Sequence, residues 1–284
     1  MTRPAWVPAG FAVEQVPGRV LVARPQHLPA LLRAGLLEPS TWDRACPSSE
    51  AQGRGPTGTL ALEGLVLRLK RMRRGGLARH AWRNRFLGTR RLVENLTVPL
   101  AALGRGVATV EPIALLVEQG GLGLSRAWLA ALDVPDAASL AARLLSSSPP
   151  TGGELRAVVA AVRHMHDCGV DHRDLNLGNI LLPERGSRSG PLVIDLDRAG
   201  LYDEPLAIGV RARALRRLER STVKLLGPTP RAGPVDLRRL WYEEYAAGDA
   251  ALGRRLARAR RFNRWAIALH GLGWRGQGSG GARG

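Results

Sequence analysis

Cysteine is nearly missing. The 284 residues hold two, Cys46 and Cys168, far apart and without the spacing of a metal site. That excludes a disulfide framework and a zinc ribbon, and it suits a reduced intracellular chain. Aromatic residues make up 5%, too few to interleave with basic side chains as a stacking platform for single-stranded nucleic acid. No stretch approaches the ~20 apolar residues that span a bilayer, and Met1–Gly10 lacks the uninterrupted apolar core of a signal peptide. A cytosolic protein, able to rest on a membrane, is expected. Acidic residues are also scarce: 24 Asp and Glu face 42 Lys and Arg, a formal charge of +18. An excess that large implies an anionic partner, which could be nucleic acid, a phosphorylated substrate or an acidic membrane face. The length admits one large domain or two lobes with a sizeable core.

What is present is a spacing. Residues 172 to 179 read His-Arg-Asp-Leu-Asn-Leu-Gly-Asn, the apolar strand Ile180-Leu181-Leu182 follows directly, and a second apolar segment runs into Asp195. An Asp and an Asn in a loop are ordinarily turn formers bonded to nearby backbone. Here the form H-R-D-L-x-x-x-N, followed by a later Asp on a strand, is the signature of phosphoryl transfer from ATP. Asp174 is the candidate base for an attacking hydroxyl. Asn179 and Asp195 are the candidate magnesium ligands, and these groups should serve one nucleotide. The expected architecture is α+β, a two-lobed protein-kinase-like fold with a small antiparallel β-rich N-lobe and a mainly helical C-lobe.

The flanking sequence fits that order. Residues 1–50 are Pro-interrupted, with one helix expected over Leu28–Leu37. Gln52 to Gly58 reads as a glycine-rich turn and Gly64–Lys70 as a strand. Together they form a hairpin in which Gly53 and Gly55 let backbone approach a phosphate, though an ordinary turn reads equally well. Arg68, Lys70 and Arg71 all qualify as the ATP-contacting base by pattern. Glu94, on a helix expected from about Arg85 to Leu96, is the candidate partner of that base, with a solvated helix charge as the alternative. The densest basic cluster, residues 68 to 91, could face an anionic acceptor. Strands are expected over Val107–Val117, with a turn at Glu111-Pro112, and over Ala127–Val134. Pro135-Asp136 reads as the hinge, which gives 1–134 as N-lobe, 135–270 as C-lobe and 271–284 as a disordered basic tail. A helix over Ser139–Leu145 follows. Thr151 and Glu154 match a capping box, and Leu155, Val158, Val159, Val162 and Met165 recur at helical spacing up to Gly169. His164 and His166 read as surface or helix-end groups rather than metal ligands, and His172 as a brace of the loop. After Asp197 the chain passes almost directly into a basic helix, Val210–Lys224. No Ala-Pro-Glu motif or long activation segment intervenes, which argues for a small-molecule or lipid-linked acceptor over a peptide.

These blocks resemble the lipopolysaccharide core kinases, most of all their 3-deoxy-D-manno-octulosonic acid (Kdo) branch. Gly53-Arg54-Gly55 is similar to the family's nucleotide loop. Leu69-Lys70-Arg71-Met72-Arg73-Arg74-Gly75-Gly76-Leu77 is similar to its strand and Arg-Arg-Gly-Gly turn, a register that selects Lys70 over Arg68. Asp171-His172-Arg173-Asp174-Leu175-Asn176 with Asn179 resembles its catalytic loop, and Ile194-Asp195-Leu196-Asp197-Arg198 its metal strand. Arg217-Leu218-Glu219-Arg220-Ser221 with Lys224 resembles the basic helix of the Kdo branch. Leu196 departs from the family's usual Phe, and the extension past Gly227 is long and basic. The resemblance implies ATP and Mg2+ as cofactors and phosphorylation of a Kdo hydroxyl on Kdo-lipid A precursor. It implies acceptor contacts at Arg73, Arg74, Arg217 and Arg220, and a peripheral position on the cytoplasmic face of the inner membrane. The partners would be a polyanionic lipid-linked saccharide and an anionic membrane surface, with no nucleic acid. Heptose or another small polar acceptor is the second enzymatic reading; a non-catalytic kinase fold holding RNA or anionic lipid is the third.

Overall fold

The computed structural model describes residues 3–46, 57–62, 64–72, 85–184, 190–227, 229, 231–232 and 235–259. The chain forms two compact units. One comprises Met1–Ala137 together with Leu192–Arg198, and the other Ala138–Pro191 with Ala199–Gly284.

The first unit is an antiparallel sheet covered on both faces. Its strands are β1 (Ala12–Val16), β2 (Arg19–Ala23), β3 (Thr57–Leu62), β4 (Leu65–Arg71), β5 (Phe86–Leu87), β6 (Pro112–Gln119) and β7 (Leu124–Leu132), arranged β1-β2-β6-β7-β4-β3 with β5 also on β7. Successive side chains on a strand point to opposite faces, and the sequence serves both. Leu21, Ala23, Leu67, Leu69 and Leu116 join Leu31, Leu36 and Trp42 of one core. Val20, Val22, Leu115 and Val117 join Leu92 and Leu96 of a second core. The first core is closed by α1 (Leu28–Arg33) and α2 (Pro39–Ala45), the second by α3 (Arg90–Gly104). Burial on both faces makes β2 and β6 continuous apolar runs with little polar alternation, which is why β2 escapes a reading of residues 1–50 as Pro-interrupted; β1, a partly buried edge strand, sets Glu14 beside Gln15 and does not alternate either. Gly58 lies in β3 and not in a turn: a Cβ there would stand 1.6 Å from the carbonyl oxygen of Ala45. β3 thus needs a glycine to lie against α2. α3 begins five residues later than its expected start, and a single strand, β6, occupies the latter half of 107–117.

The second unit contains β8 (Ala138–Ser139), α4 (Leu140–Leu145), α5 (Gly152–Asp167), β9 (Val170–Asp171), β10 (Ile180–Leu182), β12 (Gly200–Leu201), α6 (Ile208–Leu226), α7 (Leu237–Glu243) and a helix over residues 250–259; β11 (Leu192–Val193) belongs to the first unit. The capping box at the start of α5 forms as the spacing requires. Thr151 Oγ1 accepts the Glu154 N–H at 3.2 Å, and the Glu154 carboxylate accepts the Thr151 N–H at 2.7 Å. Leu155, Val158, Val159, Val162 and Met165 are buried along one face. Gly169 stops the helix with φ 72°, a position where a Cβ would lie 2.1 Å from the Tyr202 carbonyl oxygen.

One expectation fails in α5. His166 is not a surface group but fully buried, 2.8 Å from the Tyr245 hydroxyl. Arg211 donates to that same hydroxyl at 3.3 Å and to Asp167 at 2.5 Å. Because the hydroxyl oxygen accepts from Arg211, its own proton is free to donate to His166 Nδ1. Burial and the neighbouring arginine charge hold the imidazole neutral, its pKa lowered to about 3. Burial also raises the Tyr245 phenol to about 12.

Candidate active site

In the first unit the alternation of β4 sorts its three basic residues. Leu67 and Leu69 are buried, and Arg71 shares their side of the strand, 3.6 Å from Asp43 and over the Trp128 ring. Arg68 and Lys70 project from the opposite side. Arg68 pairs with Asp133 at 2.9 Å, whereas Lys70 Nζ donates to Asp195 Oδ1 at 2.5 Å. Lys70 is therefore the cation that reaches the second expected site residue.

Asp195 lies just past β11, whose Val193 N–H donates at 2.9 Å to the carbonyl of Ala108, in the segment between α3 and β6. Its φ is 66°, the left-handed region that Asp and Asn tolerate better than other side chains. The 3-10 turn Leu196–Arg198 packs on α3. Within it, Asp197 is pushed above the usual carboxylate range by burial and then by the charge of Asp195, against the pull of Lys70, Arg198 and Arg91. Asp195 and Asp197 together make a compact carboxylate pair with one lysine on it, and Asp197 was not singled out from sequence. Among the ion pairs of the described residues Glu94 meets Arg90, 3.6 Å away and one turn earlier on α3, and Lys70 meets Asp195.

In the second unit the loop after β9 is fixed by its own side chains. The Asp174 N–H donates to His172 Nδ1 at 3.3 Å, the bracing role expected of His172. The Asp174 carbonyl accepts twice, from Asn176 Nδ2 at 2.9 Å and Asn179 Nδ2 at 3.0 Å. Asn176 Oδ1 then accepts the Gly178 N–H at 2.9 Å, capping the 3-10 turn Leu177–Asn179 that leads into β10. With its amide nitrogen committed to the loop, Asn179 presents Oδ1 as the atom left for a cation. Hard oxygen donors of this kind suit Mg2+ carried in with phosphates. No cluster of three or more His, Cys, Asp or Glu able to hold a metal by itself occurs among the described residues.

Arg217 and Arg220 lie on α6. Arg220 is exposed and Arg217 partly buried, the latter in electrostatic reach of Asp171 and Asp174. Gly53, Gly55, Arg73 and Arg74 lie outside the described residues, as do Arg79 and Arg83 of the basic cluster and the C-terminal tail from 260.

The model of the lipopolysaccharide kinase (Kdo/WaaP) family matches residues 42–242. The chain belongs to this family. Lys70, Glu94, Asp174, Asn179 and Asp195 all fall inside the matched span. Among curated relatives, a 3-deoxy-D-manno-octulosonic acid kinase of Xanthomonas campestris pv. campestris is 33% identical over 201 residues, 68% of this chain and 76% of the relative. One of Vibrio cholerae serotype O1 is 32% identical over 179 residues, 61% and 72%, and one of Vibrio parahaemolyticus serotype O3:K6 is 28% identical over 155 residues, 53% and 63%. A solved structure, WaaP in complex with acyl carrier protein, shares 21% identity, 85% of this chain and 98% of that chain, with a TM-score of 0.49. As a lipopolysaccharide kinase the chain is an ATP-dependent phosphotransferase with a sugar acceptor. No helix among the described residues is long and apolar enough to cross a membrane.

Proposed function

We propose that this lipopolysaccharide kinase transfers the γ-phosphoryl group of ATP to a hydroxyl of Kdo on Kdo-lipid A precursor. The observation that carries the mechanism is the loop from Asp174 to Asn179, whose backbone is bonded so that one carboxylate and one amide oxygen stay available. Asp174 accepts the proton of the acceptor hydroxyl as the new O–P bond forms and the bond to the β-phosphate oxygen breaks, releasing ADP. Lys70 neutralises the phosphates. Asp195, Asn179 and Asp197 are the residues to hold Mg2+, which when bound offsets charge on the β- and γ-phosphate oxygens. Little covalent chemistry falls to the protein, so positioning and electrostatics supply most of the rate.

The acceptor reading draws on the Kdo kinases among the relatives and on charge. Kdo carries a carboxylate and lipid A carries phosphates, so the acceptor is polyanionic, and a chain of +18 meets it with favourable long-range attraction. Near an anionic leaflet each Lys or Arg adds on the order of 1 kcal/mol, which suits a peripheral position on the cytoplasmic face of the inner membrane. The test is mass spectrometry of Kdo-lipid A and of heptosylated acceptor after incubation with ATP, Mg2+ and purified protein. Kdo-lipid A should gain one phosphate on Kdo, and Asp174→Ala should reduce transfer about 10²–10⁴-fold while ATP still binds. Phosphate found on heptose alone, or full turnover by Asp174→Ala, would overturn the reading.

A further inference from the structure

The Arg-Leu-x-Arg-Ser run on α6, residues 217 to 221, has a second job that its charge conceals. Ser221 Oγ accepts the N–H of Leu177 at 3.2 Å, a bond between residues 44 positions apart that reaches the first residue of the 3-10 turn ending at Asn179. Arg217 stands four residues earlier on α6 and so on the same helix face. That is the residue in electrostatic reach of Asp171 and Asp174, and its buried Nη1 has no hydrogen-bond partner among the described residues. One face of α6 therefore follows the catalytic loop from Asp171 to Leu177.

What aims that face is α7. Successive helix residues are rotated about 100°, so fixing Thr222 and Glu219 fixes where Ser221 points. Thr222 is fully buried and accepts the Trp241 Nε1–H at 3.0 Å. Glu219 accepts from Arg238 Nε at 3.1 Å and from the Tyr242 hydroxyl at 2.9 Å. Leu218, just before Glu219, is core. Glu219 and Thr222 thus grip α7 while Arg217 and Ser221 face the loop.

We infer that Ser221 is a positioning residue for phosphoryl transfer: through Leu177 it sets the turn that presents the Asn179 amide oxygen. This rests on Asn179 and Asp174 acting as proposed above, and it adds a control that lies outside the loop itself. An acceptor-binding role for the basic side chains of α6 does not require the serine. Lysine or arginine would serve a basic helix as well at position 221, but neither has an acceptor for the Leu177 N–H.

The test compares Ser221→Ala, Ser221→Thr and Ser221→Cys in the full chain. Ser221→Ala is expected to lower kcat about tenfold, equivalent to ~1.4 kcal/mol in the barrier, and to leave KM for ATP within about twofold. Amide exchange of Leu177 to Asn179 should quicken in the same variant without any nucleotide present, and Ser221→Thr should restore both. Wild-type kcat with unchanged exchange at Leu177 overturns the inference. If Ser221→Ala fails to fold, the other two decide: Thr should match wild type and Cys, a poor acceptor, should fall about tenfold below it. Equal kcat for Thr and Cys also overturns it. Asp174→Ala run alongside separates the two levels. Turnover retained in Asp174→Ala removes the base assignment, whereas a silent Asp174→Ala beside a normal Ser221→Ala removes the brace alone.

Discussion

The two groups of functional residues are held by different physics. Lys70 and Asp195 meet as an ion pair with side chains 39% and 36% exposed, at the ends of two strands. Pairs of that exposure contribute about 0.2–1 kcal/mol, are screened by salt, and can be exchanged for other partners. The Asp174–Asn179 loop is held by hydrogen bonds to its own backbone and to a helix, with the Asp174 carbonyl accepting twice. An arriving polyphosphate can displace a carboxylate from a lysine at little cost. It could not rebuild a loop. On the proposed assignment, the charged group suits the part of the reaction that binds and releases nucleotide each cycle, and the hydrogen-bonded group suits the part that must be in place beforehand.

That contrast can be broken in three places. The largest effect is expected at Asp195. Asp195→Asn keeps a residue that accepts φ 66° but removes the charge, so the rate should fall about 10²–10³-fold while the melting temperature barely moves. A drop of several degrees in Tm would show that the pair is structural. Next comes Asn176→Ala, which deletes the bonds to the Asp174 carbonyl and the Gly178 amide. The expected loss is about tenfold in kcat with roughly 1–2 kcal/mol of stability, and KM for ATP little changed. A change confined to KM would place Asn176 with the charged group instead.

The third test concerns acid. His166 has its pKa lowered to about 3 from an ordinary 6.5, so between those values the unfolded chain binds a proton that the folded chain refuses. Stability then rises with pH across that window and is lost as pH falls through it, by at most ~1.4 kcal/mol per pH unit for one group. Urea unfolding from pH 7 to pH 4 should show that slope in the wild type and a flatter one in His166→Gln. Amide exchange at pH 5 should open the α5–α6 region before the sheet. Identical slopes for the two proteins would mean that His166 does not govern the acid response.

How much of this was legible beforehand follows from how local each signal is. The α5 cap needed only Thr151 and Glu154, three residues apart, and both bonds form. The catalytic loop is a local motif too, and its residues bond largely to one another. Lys70 could not be chosen over Arg68 and Arg71 by pattern, since all three sit on one strand. The resemblance to the family's strand and turn selects Lys70, and the fold adds that each base meets a different carboxylate: Lys70 meets Asp195, Arg68 meets Asp133 and Arg71 meets Asp43. The Arg90 partner of Glu94 was not named from sequence, because ion pairs depend on which charges the fold brings near. His166 was misread because Tyr245, 79 positions away, is what makes its burial tolerable. β2 escapes notice because a strand buried on both faces loses the polar alternation that announces a strand, and β1, partly buried along its length, sets Glu14 beside Gln15 and shows none either.

Tyr245 also bears on where the molecule can be cut. It is fully buried, its hydroxyl accepts from Arg211 and meets His166 Nδ1, and its carbonyl accepts from Arg163 at 3.2 Å, yet the family match stops at residue 242. A fragment trimmed to that boundary would strand the imidazole and Arg163 at the end of α5, upstream of the catalytic loop, and the Arg211 guanidinium on α6. Any minimal piece meant for crystallisation or domain exchange has to run beyond Ala247, whose carbonyl takes the other bond from Arg163.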